Sequence, residues 1–164
     1  MLEKLDAVLT AFERAMVGTL LIIMTCVVCW GIFERFLLKF GQGWTEEVSR
    51  YLTIWATYIG ASYGVKVGVH VGVDVVVDHV VPPRFRPQVL LGTNICCLAF
   101  TLCMTKLASQ YTLALVGGAT SPALFLPMWM IYAAIPFGCF MMSLRYIIII
   151  TGQIRNLAVA PGQG

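Results

Sequence analysis

The sequence predicts an all-α integral membrane protein with four transmembrane helices, an interfacial amphipathic helix at the N-terminus, and a short cytoplasmic helix between spans 2 and 3. Composition is the first observation behind this fold class. Hydrophobic residues make up 59% of the 164 residues and charged residues only 12%, whereas soluble domains carry about 25% charged residues. The second observation is a set of uncharged runs close to the roughly 20 residues that a helix needs to cross a bilayer. The bilayer is therefore the expected solvent for most of the chain.

Charged residues mark the ends of the predicted spans. Arg14 and Glu34 bracket the first uncharged run, and the second becomes long enough if Arg50 reaches the interface or pairs with a carboxylate. The predicted organisation is an arm at 1–14 and a membrane domain at 15–150 with spans at 15–35, 44–66, 87–116 and 124–150, followed by a cytoplasmic tail at 151–164.

The N-terminal arm carries apolar residues at helical spacing and charged residues on its other faces. This pattern is typical of a helix that lies flat in the membrane interface. Its charge, and the lack of a small-residue cleavage site after the first apolar run, argue against a cleavable signal peptide. The apolar positions are Leu2, Leu5, Leu9 and Phe12.

The connection between the second and third spans begins at Lys66 and includes His70 and Asp74. Residues 67–73 alternate as a strand would, but an isolated strand in lipid leaves its backbone groups without hydrogen bonds. We therefore expect an extended segment or a helix continuation at the cytoplasmic interface. A short amphipathic helix should follow from Asp74 to about Val80.

Lysine and arginine near the span ends favour cytoplasmic N- and C-termini in a multi-pass protein. The net charge of +3 does not indicate nucleic acid, because no basic patch interleaved with aromatic residues accompanies it. The larger group, on the side of the termini, is Lys4, Arg14, Lys66, Arg84, Arg86, Arg145 and Arg155, against Arg35, Lys39, Arg50 and Lys106 on the other side.

The densest polar motif lies at the start of the second span and contains Trp44, Glu46, Glu47 and Arg50. One interpretation is a solvated helix start, capped by Thr45, in which the helix dipole favours the two carboxylates. In that geometry either glutamate can pair with Arg50 one turn away. The other interpretation is a docking contact, because charge at the rim of a membrane helix is costly unless a partner matches it.

Small residues recur every four positions further along the same helix, at Ala56, Gly60, Gly64 and Gly68. Such a seam lets another backbone approach closely. The spacing leaves open whether that backbone belongs to this chain or to a partner.

Catalytic and metal-binding patterns are missing from the sequence. His70 and His79 lie outside the predicted spans and have no ligating cysteines near them, so we predict neither a metal nor a haem site. Cys26 and Cys29 lie within a predicted span, where core packing is the expected role. No nucleophile, base and acid set and no phosphate-binding loop is present. We expect no enzyme activity and no cofactor.

The combined pattern resembles the small, DctQ-like membrane subunit of tripartite ATP-independent periplasmic (TRAP) transporters, over about Met1 to Ile150. A second stretch, from Ser121 to Gly138, is similar to the last span of that family. The residues that carry the first part of the resemblance are Trp44, Glu46, Glu47, Arg50, Trp55, Gly60, Lys66, Gly68, His70 and Asp74.

The resemblance implies a scaffold subunit in a bacterial inner membrane. A large membrane subunit would bind it stably, and a periplasmic binding protein would deliver an organic acid, such as a C4-dicarboxylate or sialic acid, by transient contact. Import by symport, typically with sodium, would use ions bound in the large subunit. Membrane lipids are the remaining expected partner. The absence of an internal repeat agrees with a chain that is not itself a complete carrier.

The alternative is a free-standing homo-oligomeric channel or exporter that associates through the small-residue seam. A haem-binding anchor would need histidines inside facing spans, and the sequence has none there.

Overall fold

A computed structural model of the chain describes residues 2–39, 43–67, 82 and 85–159. Apart from one isolated β-bridge in a loop, the regular structure of these residues is helical, which confirms the predicted all-α class. The helices are α1 (Leu2–Phe33), which continues into a π-helical turn (Glu34–Leu38), α2 (Trp44–Val67), α3 (Arg86–Ala114), α4 (Met128–Tyr132) and α5 (Ala134–Val159).

The predicted N-terminal arm and first span form one uninterrupted helix, α1. The sequence predicted a separate arm ending at residue 14, and this boundary does not appear. The reason is that Asp6, Thr10 and Glu13 share one helix face and bind other helices. These contacts pack the N-terminal part of α1 against α2 and α5.

Within the part of the chain that the structure describes, three segments are long and apolar enough to cross a membrane: Asp6–Leu37, Arg86–Ala114 and Met128–Arg155. Helix α2 has nearly the bounds predicted for the second span, but its two glutamates, Arg50 and Lys66 make it more polar than the other long helices. Its membrane crossing therefore stays a prediction.

The proposed cytoplasmic helix after α2 falls on positions outside the described residues, as do His70, Asp74 and the end of the tail.

The four long helices pack in the order α1, α2, α5, α3, with a small additional contact between α1 and α5. Helix α1 is therefore an outer helix, and most of its apolar surface is exposed. Cys26 and Cys29 are exposed there, so the expectation that they pack in the core is wrong.

Glycines at two helix crossings set the closest approaches. A Cβ added to Gly138 would lie 2.6 Å from Tyr58 Cβ, and one added to Gly31 would lie 2.9 Å from Thr45 Oγ1. Gly60, from the predicted seam, has only an ordinary contact of 3.9 Å with Val17. The tight crossing between α2 and α5 thus depends on Gly138.

The predicted fourth span is interrupted near its start. Pro127 directly precedes α4, and Ala133 separates α4 from α5. Pro136 has no N–H to donate to the carbonyl of Tyr132, and the hydroxyl of Thr112 on α3, which lies 2.8 Å from the carbonyl of Ala108, shares its hydrogen with that of Tyr132 at 3.4 Å. This contact joins α3 to the break between the two helices.

Candidate docking surface and buried ion-pair network

Glu47 connects the start of α2 to the loop that precedes α4. Its side chain is only 7% exposed. Oε2 accepts hydrogen bonds from the backbone N–H groups of Ala123 at 2.9 Å and Leu124 at 3.0 Å, while the hydroxyl of Tyr51 donates to Oε1. Hydrogen bonds to a carboxylate are among the strong ones in proteins. The sequence predicted that the Glu47 carboxylate lies at the rim of a membrane helix. In the structure this carboxylate is buried and hydrogen-bonded within the chain.

The loop that Glu47 binds, residues 119–127, also has a hydrogen-bonded backbone of its own. The N–H of Ser121 donates to the carbonyl of Leu126 at 2.8 Å, and the N–H of Phe125 donates to the carbonyl of Ser121 at 3.1 Å. The Ser121 hydroxyl accepts a further bond from the N–H of Leu126 at 3.2 Å, and Ser121 is almost completely buried. Hydrogen bonds within the 119–127 loop, together with those from Glu47 of α2, therefore fix its conformation.

Glu46 and Arg50 remain at the surface. Glu46 lies 3.9 Å from Arg35 at the end of the first helical segment, and both side chains are exposed, so the pair contributes little free energy. Arg50 is exposed and has no hydrogen bond or ion pair with any described residue. The expected pairing of Arg50 with a glutamate is not formed, because Glu47 binds the 119–127 loop and Glu46 lies near Arg35.

A cleft of about 440 Å³ lies between the start of α2 and the 119–127 loop, and Glu46, Glu47 and Arg50 line it together with Pro122 and Tyr132.

Trp44 is half-buried near this end of α2. Trp55 lies about three turns further along α2, and its ring centroid is 6.0 Å from that of Phe137 on α5. Trp55 therefore joins two helices of this chain.

Gly60 and Gly64 form part of one wall of a second, apolar groove. Helices α2 and α3 flank this groove, α5 forms its floor, and its volume is about 580 Å³. The predicted seam thus borders open space as well as α1. Phe100 and Tyr146 are among the other lining residues.

A buried ion-pair network lies at the other end of the bundle and centres on Arg145 of α5. This side chain is 1% exposed, and its guanidinium pairs with the carboxylates of Asp6 and Glu13 on α1. It also donates to the hydroxyl of Thr10 at 3.1 Å. Three positions on one face of α1 are therefore bound to a single arginine on the last helix.

Helix α2 completes this network. Glu13 is 0% exposed and accepts a hydrogen bond from Ser62 at 2.6 Å. Lys66 pairs with Asp6 at 2.7 Å and donates to Thr10 at 2.6 Å. Among the described side chains, two carboxylates and two cations form the network, and their opposite charges lower the cost of burying them.

Sequence reasoning missed this network, although signals for it exist. It placed Arg145 at a span end, yet the apolar run 146–150 follows it directly. Arg145 precedes Arg155, the end of its candidate span, by about 15 Å of helix. Asp6, Thr10 and Glu13 also have the spacing that places residues on one helix face. A cation within an apolar helix and acids on an apolar helix face each indicate a partner.

The sequence matches a protein family over residues 24–156, and that family is described as "Tripartite ATP-independent periplasmic transporters, DctQ component". One relative is the C4-dicarboxylate TRAP transporter small permease protein DctQ of Rhodobacter capsulatus. It is 37% identical over 114 residues, which cover 69% of this chain and 50% of the relative.

Another relative is the isethionate TRAP transporter permease protein DctMQ of Oleidesulfovibrio alaskensis. It is 32% identical over 120 residues, which cover 71% of this chain and 18% of the relative. The matches thus span half or less of the length of these relatives. The family match covers α2, α3, α4 and most of α5, including Glu47, the 119–127 loop and Arg145. The chain belongs to the DctQ component family of TRAP transporters.

Proposed function

We propose that this chain is the scaffold subunit of a TRAP transporter, which binds a large membrane subunit and does not itself carry substrate. Membership of the DctQ family makes it a small permease component and not an enzyme. The observation that carries the scaffold proposal is the bond between Glu47 and the 119–127 loop. It fixes a surface beside Arg50, whose exposed side chain has no partner among the described residues and can be contacted by a second protein.

The charges of the bundle support a structural role for its interior. In the Arg145 network, two carboxylates and two cations pair with one another across three helices. A substrate or ion site near the membrane midplane needs groups that are free to bind a ligand. Charges that already neutralise one another hold helices together instead.

We propose that the chain crosses the membrane four times, and the length and packing of α2 support the additional crossing. This helix has 24 residues, which gives it a length of about 36 Å, enough to cross a bilayer. It packs between α1 and α5, so its length runs beside two candidate spans, and Glu47, Ser62 and Lys66 have partners within the chain. An even number of crossings places both termini on one side, and the lysine and arginine bias favours the cytoplasm.

The large subunit is the partner that the relatives favour. The Oleidesulfovibrio relative is designated DctMQ, and only 18% of its length matches this chain, as expected where a small component is joined to a larger one. A periplasmic binding protein would reach the complex transiently at the end that carries Glu46 and Arg50. An organic acid is the proposed cargo and sodium the proposed coupling ion, both bound outside this chain, in a bacterial inner membrane.

A pair of neighbouring glutamates gives the experiment its control. Glu47→Gln removes the negative charge and one of the two accepting oxygens, so the side chain cannot accept from Tyr51 as well as from Ala123 and Leu124. We expect recovery of the large subunit with this chain to fall about tenfold, as for loss of a hydrogen bond to a charged group. Glu46→Gln removes an exposed charge and should leave recovery within about twofold.

The measurement is co-purification from detergent-solubilised membranes, with substrate uptake by the same cells as a second readout. Equal recovery and uptake for Glu47→Gln and the wild type would contradict the proposal. Transport by the purified chain alone in proteoliposomes would support the free-standing channel or exporter instead.

A further inference from the structure

The exposed tip of the 119–127 loop has an unusual backbone at Phe125. Its φ angle is +53°, in the left-handed region that L-residues with bulky side chains adopt only at a conformational cost. The phenyl ring is 76% exposed. The ring therefore gains little packing within the chain that would offset the cost of its backbone conformation.

The loop backbone does not let Phe125 relax. The N–H of Phe125 bonds to the carbonyl of Ser121, and the residue on each side is bound as well: the N–H of Leu124 donates to Glu47, and the N–H of Leu126 donates to the Ser121 hydroxyl. A non-glycine residue held in a sparsely populated conformation by its surroundings is a frequent feature of binding surfaces. The fold holds a phenyl ring at a fixed, outward position.

The surface around this ring is apolar. Leu126, Trp129 and Met130 are exposed beside Phe125, and no charged residue occurs between Lys106 and Arg145. Permanent interfaces are more apolar than transient ones, which depend more on charge for steering. A soluble protein that binds briefly therefore fits this patch poorly.

A fluid bilayer also fits it poorly. Lipid accepts an apolar side chain in any backbone conformation, so membrane insertion gives no reason to keep a strained and rigid phenylalanine. A protein partner with a shaped pocket gives such a reason, because an aromatic ring that is already positioned loses less entropy on binding. The cleft that contains Arg50 adjoins the same loop through Pro122 and Ala123. The apolar patch around Phe125 is therefore continuous with the proposed docking surface beside Arg50.

We propose that Phe125 is the apolar anchor through which this chain binds the large TRAP subunit, with Glu47 as the residue that positions the loop. This inference rests on the proposed function and names the contact within it. The occupant is a hydrophobic pocket on the large membrane subunit that receives the phenyl ring.

Three variants of the co-expressed complex test the anchor. Phe125→Ala removes the ring, and Phe125→Gly removes both the ring and the backbone strain. Phe140→Ala is the control, because Phe140 is an exposed phenylalanine within regular helix α5. We expect both changes at Phe125 to lower recovery of the large subunit about tenfold, the effect of losing an interface anchor, and the control to retain it.

The isolated subunit separates anchoring from folding. Phe125→Gly should melt at the same temperature as the wild type or higher, since glycine adopts a positive φ angle without strain, although recovery of the large subunit falls. A merely structural role would lower both properties together. Recovery of the large subunit at the wild-type level with Phe125→Ala and Phe125→Gly overturns the inference.

A photo-crosslinking amino acid at position 125 identifies the occupant. We expect an adduct with the large subunit. Adducts only with lipid, with the periplasmic binding protein or with a second copy of this chain each overturn the inference. If the wild-type chain fails to recover the large subunit at all, the proposed function fails as well. If the wild type recovers it and the Phe125 variants do too, only the anchor is wrong.

Discussion

Removal of the Arg145 side chain should destabilise the subunit more than any other single truncation of a charged residue. Among the described side chains, Arg145→Ala leaves Asp6 with Lys66 as its cation and Glu13 with none. Glu13 is fully buried, and Ser62 would be its remaining hydrogen-bond partner. Breaking a buried ion pair by removing one partner costs roughly 3–5 kcal/mol. This is a large fraction of the stability of a small domain.

Arg155→Ala is the matched control. Arg155 lies on the same helix but is exposed, and surface substitutions of this kind usually change stability by about 0.5 kcal/mol or less. The assay is the unfolding of the purified subunit in mild detergent, followed by helix content against denaturant concentration. We expect a large loss of stability for Arg145→Ala and almost none for Arg155→Ala.

A charge exchange tests the reasoning behind that magnitude. Glu13→Arg and Arg145→Glu should each be strongly destabilising, and the double variant should recover part of the loss, since the two groups interact directly. A double-mutant coupling close to zero would refute the assignment of this pair. Wild-type stability of Arg145→Ala would refute the role of the whole network.

Two further predictions concern the packing of α2. Gly138→Ala should destabilise the subunit by roughly 1–3 kcal/mol because its Cβ would lie 2.6 Å from Tyr58, whereas Gly60→Ala should be tolerated. Thermal unfolding compares the two variants. Equal melting temperatures would contradict the close crossing of α2 and α5. Lys66→Met should cost only about 1 kcal/mol, because Lys66 is partly exposed and such pairs are screened by solvent. The same denaturant assay measures it, and a loss as large as that for Arg145→Ala would contradict this ranking.

The sequence predicted the positions of α2 and α3 well because those depend on local features, whereas α1 begins well before residue 15 and α5 covers Ala134–Val159 and not 124–150. Uncharged runs and turn-forming residues locate helices α2 and α3 to within about two residues of their observed ends, the precision expected for helix boundaries. The partners of charged side chains were predicted poorly. Helical spacing allowed Glu47 to bind Arg50, but nothing local reveals that the amides of the 119–127 loop are closer to it.

The sequence failed to predict the Arg145 network for the same reason. Asp6 and Arg145 are 139 positions apart in sequence, and no periodicity connects them. The apolar context of Arg145 indicates that it needs a partner. Which partner it has depends on the order in which the helices pack, and in that order α1 has only a small contact with α5.

The most direct test of the central claim is the composition of the particle that this chain forms. The chain should be tagged, co-expressed with the large subunit of its transporter, purified in mild detergent and weighed by native mass spectrometry. The scaffold proposal predicts a stable complex with the large membrane subunit that depends on Glu47. A homo-oligomer of this chain without the large subunit, at equal yield with Glu47→Gln, would contradict it.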